Sequence, residues 1–153
     1  MSAVFKNAPV FRPMDMDDLD AVMSAEVLIY PYPWTLGNFK DSLNSGYSCW
    51  MYEYENTLVG YGVLMLGAGE AHLLNLGIAK DWQRQGMGRK LLQHLIKVSR
   101  EYQADMMFLE VRPSNKAAIR LYEDVGFNEM GIRKNYYPAH NGREDGILMG
   151  LSL

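Results

Sequence analysis

The sequence predicts an α/β (α+β) sandwich, a mixed central sheet of about seven strands flanked by about four helices. Three observations carry that reading. Apolar runs of strand length alternate with amphipathic segments of helical period, in the order β-α-α-β-β-β-α-β-α-β-β. One strand–helix–strand run in the middle has the form of a crossover between parallel strands. No Pro/Gly/Ser-rich stretch interrupts the chain, and no internal repeat or charged tail is visible, so residues 1–153 are read as one domain.

Val10 to Arg12 reads as a short strand. Asp15 to Ile29 reads as a helix, with Asp15 as N-cap and acids in the first turn. Tyr30-Pro31-Tyr32-Pro33-Trp34 is excluded from a helix interior, because the prolines remove donors and fix φ. Thr35 to Asn44 resumes helical character, capped by Thr35 and stopped by Gly46. Tyr47 to Tyr54 and Leu58 to Leu66 flank Glu55-Asn56-Thr57, a hairpin signal. Ala71 to Ile78 is the next strand, after the turn Gly67-Ala68-Gly69. Met87 to Tyr102 is an amphipathic helix with Leu91, Leu95, Val98 and Tyr102 at helical spacing. Met106 to Val111 is nearly all apolar, which predicts burial on both faces. Asn115 to Val125 is a helix ended by Gly126. Phe127 to Ile132 and Ile147 to Leu151 close the sheet, joined by a loop containing Asn141-Gly142.

Composition narrows the function classes. The chain is 48% hydrophobic and 22% charged, ordinary for a globular protein. A net charge of −3 disfavours nucleic-acid binding through a basic surface and suits a basic peptide. No run approaches the roughly 20 apolar residues of a membrane span. Met1 to Val10 has no apolar core of signal-peptide type. The single cysteine, Cys49, excludes an internal disulfide framework. These features predict a cytoplasmic protein without a membrane partner.

The most informative segment is Gln83-Arg84-Gln85-Gly86-Met87-Gly88. It follows an apolar strand and opens a patterned helix. Glycine permits a tight turn and a close approach of ligand to backbone. The helix start offers unpaired N–H groups and the positive end of its dipole, so the segment reads as an anion socket suited to a pyrophosphate. It is not a Walker loop, since Gly88 is followed by Arg89-Lys90-Leu91. It is not a dinucleotide fingerprint, since Leu91 stands where a third small residue is needed. A plain strand-to-helix turn accounts for it equally.

The whole pattern resembles the GCN5-related N-acetyltransferases (GNAT), whose signature [QR]-x-x-G-x-[GA] is met at every defined position by Gln83 to Gly88. The resemblance extends over essentially the whole chain. Leu109-Glu110-Val111-Arg112, Ser114-Asn115, Leu121-Tyr122-Glu123, Gly126-Phe127 and Arg133-Lys134-Asn135-Tyr136-Tyr137-Pro138, with Pro33-Trp34, are similar to one branch of that family. That branch acetylates the amino-terminal alanine of a small-subunit ribosomal protein. The resemblance implies the acyl-CoA N-acyltransferase fold, acetyl-CoA as co-substrate, no metal, and the N-terminal peptide of a ribosomal protein as partner. Two other functions stay open: acetylation of a small amine or lysine side chain, and non-catalytic CoA binding.

Acetyl transfer to an amine needs a held thioester, a neutral amine, a stabilised oxyanion and a protonated leaving thiolate. The resemblance implies that the backbone of Arg84, Gln85, Gly86, Met87, Gly88 and Arg89 holds the pyrophosphate, with charge from Arg84 and Arg89. It implies that Leu76, Gly77 and Ile78 offer strand-edge backbone to the pantetheine, an N–H near Ile78 polarising the carbonyl. Gly77 is small for a strand and marks a possible bulge. Glu110 ends an otherwise apolar strand, where partial burial helps a carboxylate accept a proton; pairing with Arg112 is the structural alternative. Tyr122 is the acid candidate, because a free phenol and a free thiol have comparable proton affinity. It shares a stripe with Ala118, Leu121 and Val125, so a core role fits as well. Asn115 lies seven residues earlier, about 20° away around a straight helix, and is implied to bind cofactor. Trp34, Tyr136 and Tyr137 are candidates to flank a substrate peptide, and packing of loops onto the core fits each of them at least as well. Glu144, Asp145, Asp17 and Asp18 are acids that complement a basic peptide, although Asp17 and Asp18 read better as a solvated face. His72 is a remote alternative base, and His94 is expected to be exposed. Cys49 reads as a core thiol, so direct transfer without an acyl-enzyme is expected.

Overall fold

Strand pairing follows the predicted element order. Val10–Pro13 (β1), Ser48–Tyr54 (β2), Thr57–Gly67 (β3), Glu70–Ile78 (β4), Met106–Val111 (β5), Asn128–Ala139 (β6) and Gly142–Ser152 (β7) form one seven-stranded sheet in the order β1-β2-β3-β4-β5-β7-β6. The computed structural model describes residues 7–153, so the start of the Met1–Val10 segment lies outside the described residues. The helices are Leu19–Ile29 (α1), Leu36–Asn44 (α2), Met87–Glu101 (α3) and Lys116–Val125 (α4). β4 and β5 run parallel, from Glu70 beside Met106 to Leu73 beside Leu109, with α3 as their crossover. β1–β2, β2–β3, β5–β7 and β6–β7 are antiparallel. The chain forms two compact units, Met1–Met65 with Asn75–Leu95, and Leu66–Leu74 with Ile96–Leu153. Among the described residues, no helix is long and apolar enough to cross a membrane.

The first unit is built on a core of Leu19 and Val22 from α1, Phe39 from α2, and Met51, Tyr61 and Val63 from the sheet. Asp15 caps a 3₁₀ turn, Met16–Asp18, rather than the α-helix, which begins at Leu19. The reason is a reciprocal cap: Asp17 N–H donates to the Asp15 side chain and Asp15 N–H donates to the Asp18 side chain. Asp18 is not a solvated acid, because Arg12 pairs with it at 2.6 Å while also reaching Glu53 at 2.6 Å. Thr35 starts α2 as predicted, in a capping box with Asn38. Gly62 lies against α3: a Cβ there would sit 2.7 Å from Leu95. The buried stripe of α3 runs through Leu91, Leu92, Leu95 and Ile96. Tyr102, expected on that stripe, falls beyond the last residue of the helix and is 48% exposed.

In the second unit β5 alternates. Met107, Leu109 and Val111 are buried, whereas Met106, Phe108 and Glu110 are half-buried, so burial on both faces does not hold. β6 and β7 are about twice their predicted length. They meet in a two-residue turn, His140–Asn141, where a loop was expected. Pro138 fits in β6 because that strand ends the sheet and has no second neighbour to receive its missing N–H. The exposure of most of β6 on both faces removes the apolar alternation that would have announced it.

Candidate active site

In the first unit, the six-residue motif forms a turn that leads into α3. After β4 ends at Ile78, a 3₁₀ turn (Lys80–Trp82) leads into the motif. Gln83 reaches back, its Nε2–H donating to the Ile78 carbonyl at 2.9 Å, and Gln85 Nε2–H donates to the Asp81 carbonyl at 3.1 Å. Arg84 (φ 62°) and Gly86 (φ 80°) both occupy the left-handed region. A Cβ at Gly86 would meet nothing within 4 Å, so its backbone angle, not space, selects glycine. Such turns aim successive N–H groups inward, and here α3, fifteen residues long, starts immediately after. The side chains of Arg84 and Arg89 are exposed at the turn. Backbone donors, dipole and cations together suit a pyrophosphate. Met87, 1% exposed, is a core anchor and can contribute only its backbone.

Gly77 answers to a neighbour. A Cβ there would lie 2.5 Å from the ring of Tyr61. That ring passes across Gly77 to place its hydroxyl 2.6 Å from Glu26 Oε1, to which it donates. Glu26 is 1% exposed, and its Oε2 accepts the Trp34 backbone N–H at 2.9 Å and Asn75 Nδ2–H at 3.4 Å. Burial, and then the charge of Glu26, push the Tyr61 phenol well above its ordinary range. Tyr30 O–H donates to the Leu76 carbonyl. Trp34 itself packs on Phe39, ring centroids 5.0 Å apart. Sequence reasoning passed over Glu26. Its signal was an acid at an inward position of α1, seven residues after Leu19 and four after Val22.

In the second unit, Glu110 and Tyr137 line an open pocket of about 130 Å³ together with His72, Phe108 and Leu148. Glu110 pairs with Arg133, not Arg112, at 3.1 Å through Oε1. Its Oε2 is buried and has no hydrogen-bond partner among the described residues. Burial, followed by the charge of Glu110, pushes the Tyr137 phenol up to about 12, against the pull of Arg112 and Arg133. Tyr122, 8% exposed, is pushed up by burial and then by Tyr137. It is therefore protonated at neutral pH but a weaker acid than the free phenol that the sequence argument assumed. Asn115 caps α4, its Oδ1 accepting the Ala118 N–H at 3.2 Å.

The loop acids are committed to structure. Glu144 accepts from Arg112 at 3.0 Å and from the Ser114 hydroxyl at 2.9 Å. Arg112 also lies over the Tyr137 ring, 4.4 Å from its centroid. Asp145 accepts the Asn135 N–H at 2.9 Å, within an irregular stretch of β6 between Arg133 and Tyr137. This bulge lets Tyr136 and Tyr137 lie edge to face, centroids 4.8 Å apart, above Gly146, where a Cβ would stand 3.1 Å from Tyr136. Tyr136 is 42% exposed. His72 pairs with Glu70 at 3.3 Å. His94 is half-buried rather than exposed, stacked 4.1 Å from Phe11 and edge-on to Trp50. Cys49 is buried, and burial pushes its thiol up to about 11, which makes it a poor nucleophile.

The Acetyltransferase (GNAT) family profile matches residues 19–127. The chain is similar to the [Ribosomal protein bS18]-alanine N-acetyltransferase of Escherichia coli (strain K12), 38% identical over 140 residues, 92% of this chain and 95% of that one. It is 35% identical over 137 residues to the enzyme of the same name from Haemophilus influenzae, covering 89% of this chain and 93% of that one. The crystal structure of the ribosomal-protein-S18-alanine N-acetyltransferase from Escherichia coli superposes with a TM-score of 0.89 at 36% identity, over 95% of this chain and 94% of that one.

Proposed function

Because the chain belongs to the acetyltransferase (GNAT) family, we propose that residues 1–153 form one cytoplasmic enzyme domain. Its reaction is transfer of the acetyl group of acetyl-CoA to the N-terminal alanine of ribosomal protein bS18. Likeness to the bS18-alanine acetyltransferases over nine-tenths of the chain supports the substrate. One observation carries the chemistry. Glu110 stands on the wall of an open pocket with one oxygen held by Arg133 and the other, among the described residues, without a hydrogen-bond partner.

Acetyl-CoA supplies an activated thioester. The backbone N–H groups of Arg84 to Arg89 bind its pyrophosphate, and Arg84 and Arg89 add charge. Leu76, Gly77 and Ile78 align the pantetheine through main-chain groups, and Asn115 assists from the head of α4. Trp34, Tyr136 and Tyr137 flank the peptide. Glu110 Oε2 takes a proton from the alanine ammonium, leaving a lone pair for attack on the thioester carbonyl. An N–H near Ile78 stabilises the negative oxygen. As the carbon–sulfur bond breaks, Tyr122 O–H gives its proton to the departing sulfur. The attacking nitrogen loses its second proton to solvent as the amide forms, Tyr122 recovers a proton from solvent, and Glu110 releases the one it took.

The test is acetylation of a peptide beginning Ala-Arg-Tyr, read by mass. Transfer to its α-amine is the expected result. Transfer to a small amine or a lysine side chain but not to this peptide would replace the substrate. Thermal stabilisation by acetyl-CoA with no turnover on any amine would make the protein a CoA-binding module.

A further inference from the structure

We propose that Glu26 is a positioning residue for the acceptor peptide, its carboxylate fixing the Pro31–Trp34 turn through the Trp34 amide. This rests on Trp34 flanking the peptide, as proposed above. A carboxylate 1% exposed in an apolar unit is costly unless its oxygens are filled by donors. A leucine at position 26 would continue the Leu19–Val22 stripe without that cost.

The donors come from three separate pieces of the first unit: Trp34 in the turn, Tyr61 in β3 and Asn75 in β4. Pro31 and Pro33 have no N–H, so the Trp34 amide is the donor that ties the far end of the turn. Trp34 is thus held twice, by its amide on Glu26 and by its ring on Phe39. The fixed turn then presents Tyr32 (44% exposed) and, just beyond it, Leu36 (40%). An extended peptide loses less freedom on docking against a wall already ordered, so this tie acts on peptide affinity rather than on the chemical step.

Glu26→Gln keeps shape but leaves one acceptor oxygen and adds an N–H₂ facing donors. It should raise the peptide KM about tenfold, with kcat and the acetyl-CoA KM within about twofold of wild type. The Trp34 amide proton, followed in ¹⁵N-labelled protein, should move upfield as its bond to a charged acceptor is lost. Tyr61→Phe removes a different donor and leaves the Trp34 tie intact, so its peptide KM should stay within about twofold of wild type. An unchanged peptide KM in E26Q overturns the proposal. So does a rise in Y61F equal to that in E26Q, because the effect would then run through the core. If E26Q melts below assay temperature, Glu26→Asp carries the same test with the charge set back one methylene; an unchanged peptide KM there also overturns it. A wild-type enzyme active on the peptide with unresponsive variants defeats this proposal alone. A wild-type enzyme that acetylates small amines but no N-terminal peptide defeats the proposed function and this proposal with it.

Discussion

Glu26 in the first unit and Glu110 in the second are both acids on otherwise apolar faces, and they are finished in opposite ways. Glu26 has donors on both oxygens, from Tyr61, Trp34 and Asn75. Glu110 lines an open pocket and has Arg133 on one oxygen, while its buried second oxygen has no hydrogen-bond partner among the described residues. A filled carboxylate has its geometry fixed and no lone pair to offer. A half-filled one is held in orientation while keeping a site for a proton. The completeness of the donor set, more than burial, separates a structural acid from a candidate base.

Four changes would break or sharpen that contrast. Glu110→Gln should lower kcat by about 10² to 10³ at neutral pH, recovering in part at higher pH as the amine loses its proton unaided. Its melting temperature should hardly move, and a pH–rate profile beside a thermal melt reads both. Glu26→Ala should do the reverse in stability, costing about 3 kcal/mol by urea unfolding, because three donors lose their acceptor and a cavity opens. If the two variants exchange these signatures, the contrast is wrong. Tyr122→Phe should slow turnover about tenfold with acetyl-CoA stabilisation intact; equal turnover would remove it as the acid.

The smallest effect is at Arg12. Its guanidinium holds Asp18 below the usual carboxylate range. A depressed carboxylate stabilises the fold above its unfolded pKa and loses that contribution as pH falls through the lower folded value. Arg12→Met should therefore cost about 1 kcal/mol at neutral pH. Urea melts at descending pH should show the difference closing below about pH 4.

What was legible in the sequence was whatever the backbone repeats locally. Thr35 and Asn38 announce their helix because a cap is a contact three residues long. Gln83 to Gly88 shows because its turn and helix start are contiguous. Glu26, Arg112 and Arg133 were illegible because their partners lie 8 to 49, 26 to 32 and 23 residues away. The length of β6 was hidden by its exposure, since an edge strand with polar groups on both faces lacks the alternation that marks a half-buried one. Tyr122 was placed on the correct helix, but its weakened acidity depends on burial and then on Tyr137, fifteen positions on.

The passage of Tyr61 across Gly77 has a consequence for how this chain can change over time. With the ring in place, any β-carbon at position 77 collides with it at 2.5 Å. With glycine at 77, a smaller residue at 61 leaves a void and strips a donor from Glu26. Neither position can drift alone without loss, whereas a paired exchange of bulk from one to the other preserves the packing. Substitutions at 61 and 77 should therefore be tolerated together more readily than singly.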